Sequence, residues 1–388
     1  MKILFLTPYL PSNRAGGENF TRLLLEQLSI SCQIDLVYYK YYLDPYYVAP
    51  NDNVRILKVC PNSTIIKLKN CGGYPFIHPL FSVRFDRKLL EFLRQIVSEE
   101  HYDWLYLDHS QMFLYGKYFP EMNKILMSHD VMAQRFSRTG TTLNRKWVIA
   151  SEKKVLSLPN SVIFTFSSKD AAIVEAVYHR NSFVTNFFLD RDVINAVPHR
   201  LKKQIIFFGK WTRSDNTVGL QWFFEEVGAY MDKSIKIIII GTGLPVEMVK
   251  RLKEYKNVEY RGFVENPYQM IADSLLVVSP LFSGAGVKVK VVESLACGTP
   301  VLGTSIAFEG IDKKFKKFML ITCHHPAILG NWIKNLAPDS VWPPLDYLRK
   351  IGYLPTVDPS SEIDFLNLVK DKVDKILKDL DSNDKLRK

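Results

Sequence analysis

The chain has 388 residues, 47% of them hydrophobic and 23% charged, and carries a net charge of +11. Such a composition is globular, and at roughly 150 residues per domain its length points to two cores. The positive excess suits anionic partners, but no zinc finger, helix-turn-helix or RNP aromatic motif is present, so nucleic acid is not an expected partner.

Strand signals open the first half: "ILFLT" (3–7), "IDLVYY" (34–39), "VRILKV" (54–59), "WLYLD" (104–108), "KILMSH" (124–129) and "VIFTFS" (162–167). Most are continuously apolar rather than alternating, the mark of parallel strands buried on both faces. Helical spacing separates several of them. In "GENFTRLLLEQLS", Phe20, Leu23, Leu24 and Leu28 share one face, and "RFDRKLLEFLRQIVSEE" repeats the pattern with Phe85, Leu89, Phe92, Leu93 and Ile96.

A basic, proline-containing stretch, "NAVPHRLKKQ" (195–204), reads as a linker. A second series follows: "IIFFG" (205–209), "IKIIIIG" (235–241), "VEYRGFV" (258–264), "LLVVSP" (275–280), "PVLGTS" (300–305) and "FMLIT" (318–322), with helical segments such as "TVGLQWFFEEVGAYM" between. Strand–helix alternation run twice predicts an α/β protein of two doubly wound domains, 1–195 and 205–340. Ligands of such sheets bind beyond the carboxyl ends of the strands, so two facing sheets predict a cleft. The remainder, 341–388, is proline- and aromatic-rich and then shows Ile363, Leu366, Val369, Val373, Ile376 and Leu380 at the spacing of an amphipathic helix.

Chemistry concentrates in "SGAGVKVKVVESLACGTPVL" (283–302), a glycine loop opening a helix that Gly298 would cap. Free backbone N–H groups and the helix dipole make such an opening a phosphate cradle. Glu293 stands about two turns in, within an otherwise apolar run. A buried carboxylate needs partners. Ribose hydroxyls would serve, as would a salt bridge to Lys290 one turn earlier. Lys288 and Lys290 suit a diphosphate or the solvent, and Cys297 reads as a packed small hydrophobe.

This block resembles the donor-site signature of glycosyltransferase family 4, retaining nucleotide-sugar transferases with the GT-B fold of two Rossmann-like domains. "TPYLPSNRAGGENF", "MSHDV", "ASEKKVLSLPNSVIFTFSSKDAAIV", "IIFFGKWTRSDNTVGLQWFFEE" and "SIAFEGID" match in type and order, so the resemblance spans roughly residues 1–310. It implies a donor site of Gly16 and Gly17 beside the diphosphate, the loop Gly284, Ala285 and Gly286, Lys290, and Glu293 on the ribose. It implies His129 beside the reacting sugar with Asp130 as its neighbour, and Glu152 in a structural or cleft-wall role. Two departures stand out. Ala285 occupies the position of a second glutamate, and Lys210 and Asn216 replace an arginine–lysine pair, with Arg213 as a compensating cation.

The expected activity is transfer of a sugar, with retention, from a nucleoside-diphosphate sugar to a hydroxyl of a glycan or lipid-linked glycan in bacterial surface polysaccharide synthesis. A nucleotide-sugar epimerase on the same fold and an inactive sugar-nucleotide-binding partner are the alternatives. No D-x-D motif stands out except "DRD" (190–192), which reads as a turn, so no metal or other cofactor is expected. "MKILFLTPYLPS" is too short in its apolar run for a signal peptide, no stretch approaches the ~20 apolar residues that span a bilayer, and five cysteines without a C-x-x-C pair fit a reducing compartment. A cytoplasmic enzyme is expected, peripheral on an anionic membrane surface through aromatic and basic segments at 38–47 and 67–88.

Overall fold

A computed structural model describes residues 1–185, 188–200, 202–311 and the strand 319–321. The stretch 341–388, with its expected amphipathic helix, lies outside the described residues. Thirteen described strands are β1 (Lys2–Thr7), β2 (Gln33–Lys40), β3 (Val54–Pro61), β4 (Trp104–Asp108), β5 (Lys124–Ser128), β6 (Ser161–Thr165), β7 (Ser182–Val184), β8 (Lys202–Phe208), β9 (Lys236–Ile240), β10 (Val258–Gly262), β11 (Ser274–Ser279), β12 (Val301–Gly303) and β13 (Met319–Ile321). The helices are α1 (Gly16–Leu28), α2 (Thr64–Gly72), α3 (Pro79–Ser82), α4 (Arg87–Glu99), α5 (Phe113–Gly116), α6 (Met132–Thr139), α7 (Thr142–Leu156), α8 (Ser168–Tyr178), α9 (Arg191–Asn195), α10 (Ser214–Trp222), α11 (Val246–Leu252), α12 (Tyr268–Ala272) and α13 (Val289–Ala296).

The strands form two sheets, ordered β3-β2-β1-β4-β5-β6-β7 and β10-β9-β8-β11-β12-β13. Every pairing is parallel. Both faces of each sheet are covered, which explains the continuous apolar runs. Along β1, Leu4 and Leu6 enter one core while Ile3 and Phe5 enter the other. Along β8, Ile206 faces one layer while Ile205 and Phe207 face the opposite one.

Strand order reverses between β1 and β4 in the first sheet and between β8 and β11 in the second. These are the switch points at which doubly wound sheets bind ligands. Thr7 and Asp108 end the first pair and are joined by a 2.8 Å hydrogen bond.

The domain boundary falls earlier than the sequence suggests. Leu189, Val193 and Ala196 pack into the second core. Residues 189–196 therefore belong with the second domain, and β8 begins at Lys202 inside the expected linker. The "DRD" at 190–192 is the start of α9, where Asp190 caps the helix by accepting from the Asp192 amide.

Candidate active site

Between β11 and α13 the chain turns through Gly284 and Gly286, both at positive φ (112° and 69°). The loop is tied from two sides. Lys288 donates to the carbonyls of Ala285 at 2.8 Å and Gly286 at 2.6 Å, and Arg138 from the first domain donates to the Gly284 carbonyl at 2.6 Å. Lys288 thus closes the loop around its own side chain, and burial lowers its pKa.

Lys290 donates to Asn216 Oδ1 at 2.8 Å, and Asn216 Nδ2 donates to the Lys210 carbonyl at 2.8 Å. Both ends of Asn216 are therefore engaged, and it orients Lys290. Burial, then the charges of Arg213 and Lys288, bring the Lys290 ammonium down to about 7. Arg213 is exposed at the start of α10, and Lys210 Nζ lies 3.9 Å from Glu18 Oε1 of the first domain.

Glu293 is the fifth residue of α13, just over one turn in rather than two. Its carboxylate is buried, and Oε1 accepts from the Tyr268 hydroxyl of α12 at 3.1 Å. Asn19 of α1, in the opposite domain, also hydrogen-bonds to it. The alternative pairing with Lys290 does not form: Lys290 turns to Asn216. Burial pushes Glu293 up to about 7, against the hydrogen bonds from Tyr268 and Asn19.

The facing wall is built on β4 and β5. His129 and Asp130 follow β5, and α6 starts two residues later. Glu152, buried in α7, accepts from the amides of Met132 and Ala133 at 2.9 Å each and from the Tyr178 hydroxyl. It satisfies two otherwise free donors of the α6 N-terminus. Its role is thus to anchor the segment that carries His129.

Asp108, at the end of β4, was not anticipated. It is fully buried and accepts from Thr7 and Thr21 hydroxyls at 2.8 and 2.7 Å, while its other oxygen meets His129 Nε2 at 2.7 Å. Burial raises its pKa, but His109, His129 and the hydrogen bonds from His129 and Thr21 prevail and hold the carboxyl at about 2. An ionised Asp108 makes Nε2 of His129 the donor, which leaves Nδ1 to meet a ligand.

His109 stacks on His129 with ring centroids 3.4 Å apart. Its φ of 60° is uncommon for a non-glycine residue, and burial, then His129, lowers its pKa to about 3. Asp108, His109 and His129 are also the group of described residues whose ligand atoms gather as a metal would require, within 4.8 Å.

Close approach explains the glycines. Gly16 and Gly17 begin α1; a Cβ at Gly16 would lie 2.8 Å from Val289 Cβ, and one at Gly17 would lie 3.0 Å from His109 Cε1. A Cβ at Gly286 would collide with Asp130 Oδ1. Asp130 therefore brings a carboxylate to the glycine loop before α13 from the opposite domain, beside Ala285. Glu309, in "SIAFEGID", completes the interdomain contacts by pairing with Arg138 and with Lys169 at 2.6 Å.

Comparison with known proteins agrees with this architecture. Residues 202–338 match the family described as Glycosyl transferases group 1. No curated protein matches the chain in sequence. Among solved structures, the sucrose-phosphate synthase of Thermosynechococcus elongatus superposes with a TM-score of 0.71 at 13% identity, covering 97% of this chain and 100% of that one. WaaG, a glycosyltransferase of lipopolysaccharide biosynthesis, gives a TM-score of 0.64 at 12% identity over 92% of this chain and 96% of its own. Anabaena HepE, in complex with UDP and glucose, gives 0.56 at 15% identity over 86% and 89%. Residues 202–338 thus resemble the Glycosyl transferases group 1 family in sequence, and the chain has the two-sheet GT-B fold of these solved structures.

Proposed function

We propose that this protein transfers a sugar from a nucleoside-diphosphate sugar to a hydroxyl of a glycan acceptor, with retention at the anomeric carbon. The observation that carries the reading is the meeting of two walls: the loop that leads into α13 with Lys290 and buried Glu293 comes so close to the other domain that a Cβ at Gly286 would lie 2.9 Å from the carbonyl of His129, itself held by Asp108. Glu293 accepts the ribose hydroxyls. The α13 N-terminus with Lys290, Arg213 and Lys210 receives the diphosphate, and the glycines at 16 and 17 leave it room. HepE, crystallised with UDP, supports a nucleotide donor.

As the bond from the anomeric carbon to the diphosphate breaks, negative charge grows on the leaving oxygen. Fixed cations and helix N–H groups stabilise that charge without reorganising. This departure is proposed to proceed without a metal. His129 Nδ1 contacts the reacting sugar. The acceptor hydroxyl attacks from the face the leaving group vacates, and the departing phosphate takes its proton, giving retention.

The acceptor is proposed to be a lipid-linked glycan of a bacterial surface polysaccharide, met by a cytoplasmic enzyme at the membrane surface. Exposed Ile65 and Leu68 on α2 and Phe76 just beyond it, flanked by Lys67 and Lys69, support this reading. No helix among the described residues is long and apolar enough to cross a membrane. Purified protein, a panel of nucleotide sugars and a bacterial lipid extract test the proposal. Nucleoside diphosphate should be released only when extract is present, and NMR of the product should show the donor's anomeric configuration. No release with any donor, release without acceptor, or an inverted product would contradict it.

A further inference from the structure

Arg84 sits in the turn between α3 and α4 and is only 3% exposed. Its one side-chain hydrogen bond among the described residues runs from Nη1 to Asn62 Oδ1 at 2.7 Å, and its buried Nε–H has no partner. Residues 53–85 contain no Asp or Glu, and Asp86 is turned away to cap α4 by accepting from the Lys88 amide. A buried guanidinium without a carboxylate is costly, because its hydration is lost and not replaced. The rings of Tyr39 and Tyr9, at 5.2 and 5.8 Å, offset part of that cost. They leave the Nε–H donor unfilled.

The placement is rigid. The Arg84 carbonyl accepts from the hydroxyls of Tyr39 at 2.7 Å and Tyr115 at 2.8 Å. It also leads to the reacting centre. Tyr9 packs edge-on against His109 at 5.1 Å, and His109 stacks on His129. Gln111 donates to the Tyr9 hydroxyl at 2.9 Å while its own carbonyl oxygen, like His109 Nε2, is buried without a partner. Three unfilled polar atoms thus surround Tyr9. The corner carries more than one positive charge: Lys67 donates to the Tyr41 hydroxyl at 3.0 Å, and Tyr41 lies within the field of Arg84 as well. More than one cation suits a phosphate better than a single carboxylate.

The geometry points to a phosphate-binding subsite for the acceptor, in which Arg84 takes a phosphate or diphosphate oxygen and Gln111 and His109 meet the acceptor sugar beside His129. It rests on the glycosyltransferase reading, because it assigns this wall of the cleft to the acceptor. A lipid-linked sugar diphosphate and a soluble sugar phosphate both present the required group.

The test uses the full chain with its donor site saturated by UDP, or by GDP where UDP does not bind. Farnesyl diphosphate in detergent and glucose 1-phosphate in solution are titrated separately and followed by phosphorus NMR. At least one should bind, and Arg84→Gln should weaken it about tenfold or more, the scale of one charge-assisted hydrogen bond. Its melting temperature and nucleotide affinity should be kept. Binding of farnesyl diphosphate alone assigns a lipid source, and binding of glucose 1-phosphate alone a soluble one. If neither binds, or if Arg84→Gln binds as the wild type does, the subsite is refuted. Should Arg84→Gln not fold, Arg84→Lys takes its place: it keeps the charge but loses the fork, and unchanged affinity again refutes the subsite. Nucleotide binding is scored separately, so a wild type that binds neither UDP nor GDP counts against the glycosyltransferase reading, while the phosphate probes still decide the subsite.

Discussion

Replacing Glu293 by Gln isolates the proposed ribose contact. The side chain keeps its shape, and Oε1 of Gln still accepts from Tyr268, so the fold should survive. What is lost is a charged acceptor for two ribose hydroxyls, worth about 2 kcal/mol or roughly 30-fold in affinity. That figure applies only where the wild-type carboxylate is ionised. Burial raises its pKa to about 7. At pH 8 about nine tenths of the free protein carries the charge, and at pH 6 about one tenth, which takes back about 1.4 kcal/mol. The ratio of wild-type to variant affinity should therefore fall from about 30 at pH 8 to about threefold at pH 6. The sign follows from the raised pKa: the advantage of Glu appears as pH rises through it. Calorimetric titration with UDP at both pH values reads this ratio. Equal affinities, or a large ratio that does not change with pH, would refute the ribose role.

Lys290 should give the opposite limb. Its ammonium is brought down to about 7, so wild-type affinity for UDP should also decline above that pH, and Lys290→Met should remove the alkaline decline while weakening binding about tenfold at pH 6. Titrations from pH 6 to 9 compare the two. His129→Ala should lower kcat about 100-fold or more while UDP affinity stays within about twofold, because its proposed contact is with the reacting sugar; equal losses in steady-state kinetics and calorimetry would make it structural. Gly286→Ala should cost at least about 1 kcal/mol in urea denaturation, since φ is 69° and the new methyl meets Asp130. Wild-type protein should sediment with anionic liposomes at low salt and be released as salt rises, and the triple variant Ile65→Ser, Leu68→Ser, Phe76→Ser should stay in solution; equal sedimentation would remove α2 as the contact.

The strands were legible because burial on both sheet faces demands continuous apolar runs, and such runs survive without an alignment. β7 was missed: Ser182–Val184 is three residues long at a sheet edge, with no apolar run to mark it. The helix expected through 217–231 is instead α10 to Trp222 followed by a π-helical stretch, Phe223–Val227, that keeps Phe223, Phe224 and Val227 buried. Helical spacing does not reveal such a widening, because a single i→i+5 turn leaves the apolar spacing of a short segment almost unchanged. Glu293 could be read since a carboxylate inside an apolar run is itself the anomaly. Asp108 could not. In "WLYLDHS" it looks like a strand-end acid facing solvent, and it becomes a buried acceptor only when β1 and β4 lie side by side and Thr7, Thr21 and His129 converge on it. Arg84 was hidden for the same reason: its lack of a carboxylate partner among the described residues emerges only from the folded surroundings.

A crystal structure of the protein with an intact nucleoside-diphosphate sugar tests the site most directly. The ribose hydroxyls are expected at ~2.6–3.2 Å from the Glu293 carboxylate, with the diphosphate over the α13 N-terminus in reach of Lys290, and the sugar against His129 Nδ1. A nucleotide seated elsewhere, or one whose ribose meets no part of Glu293, would contradict the assignment of this cleft as the donor site.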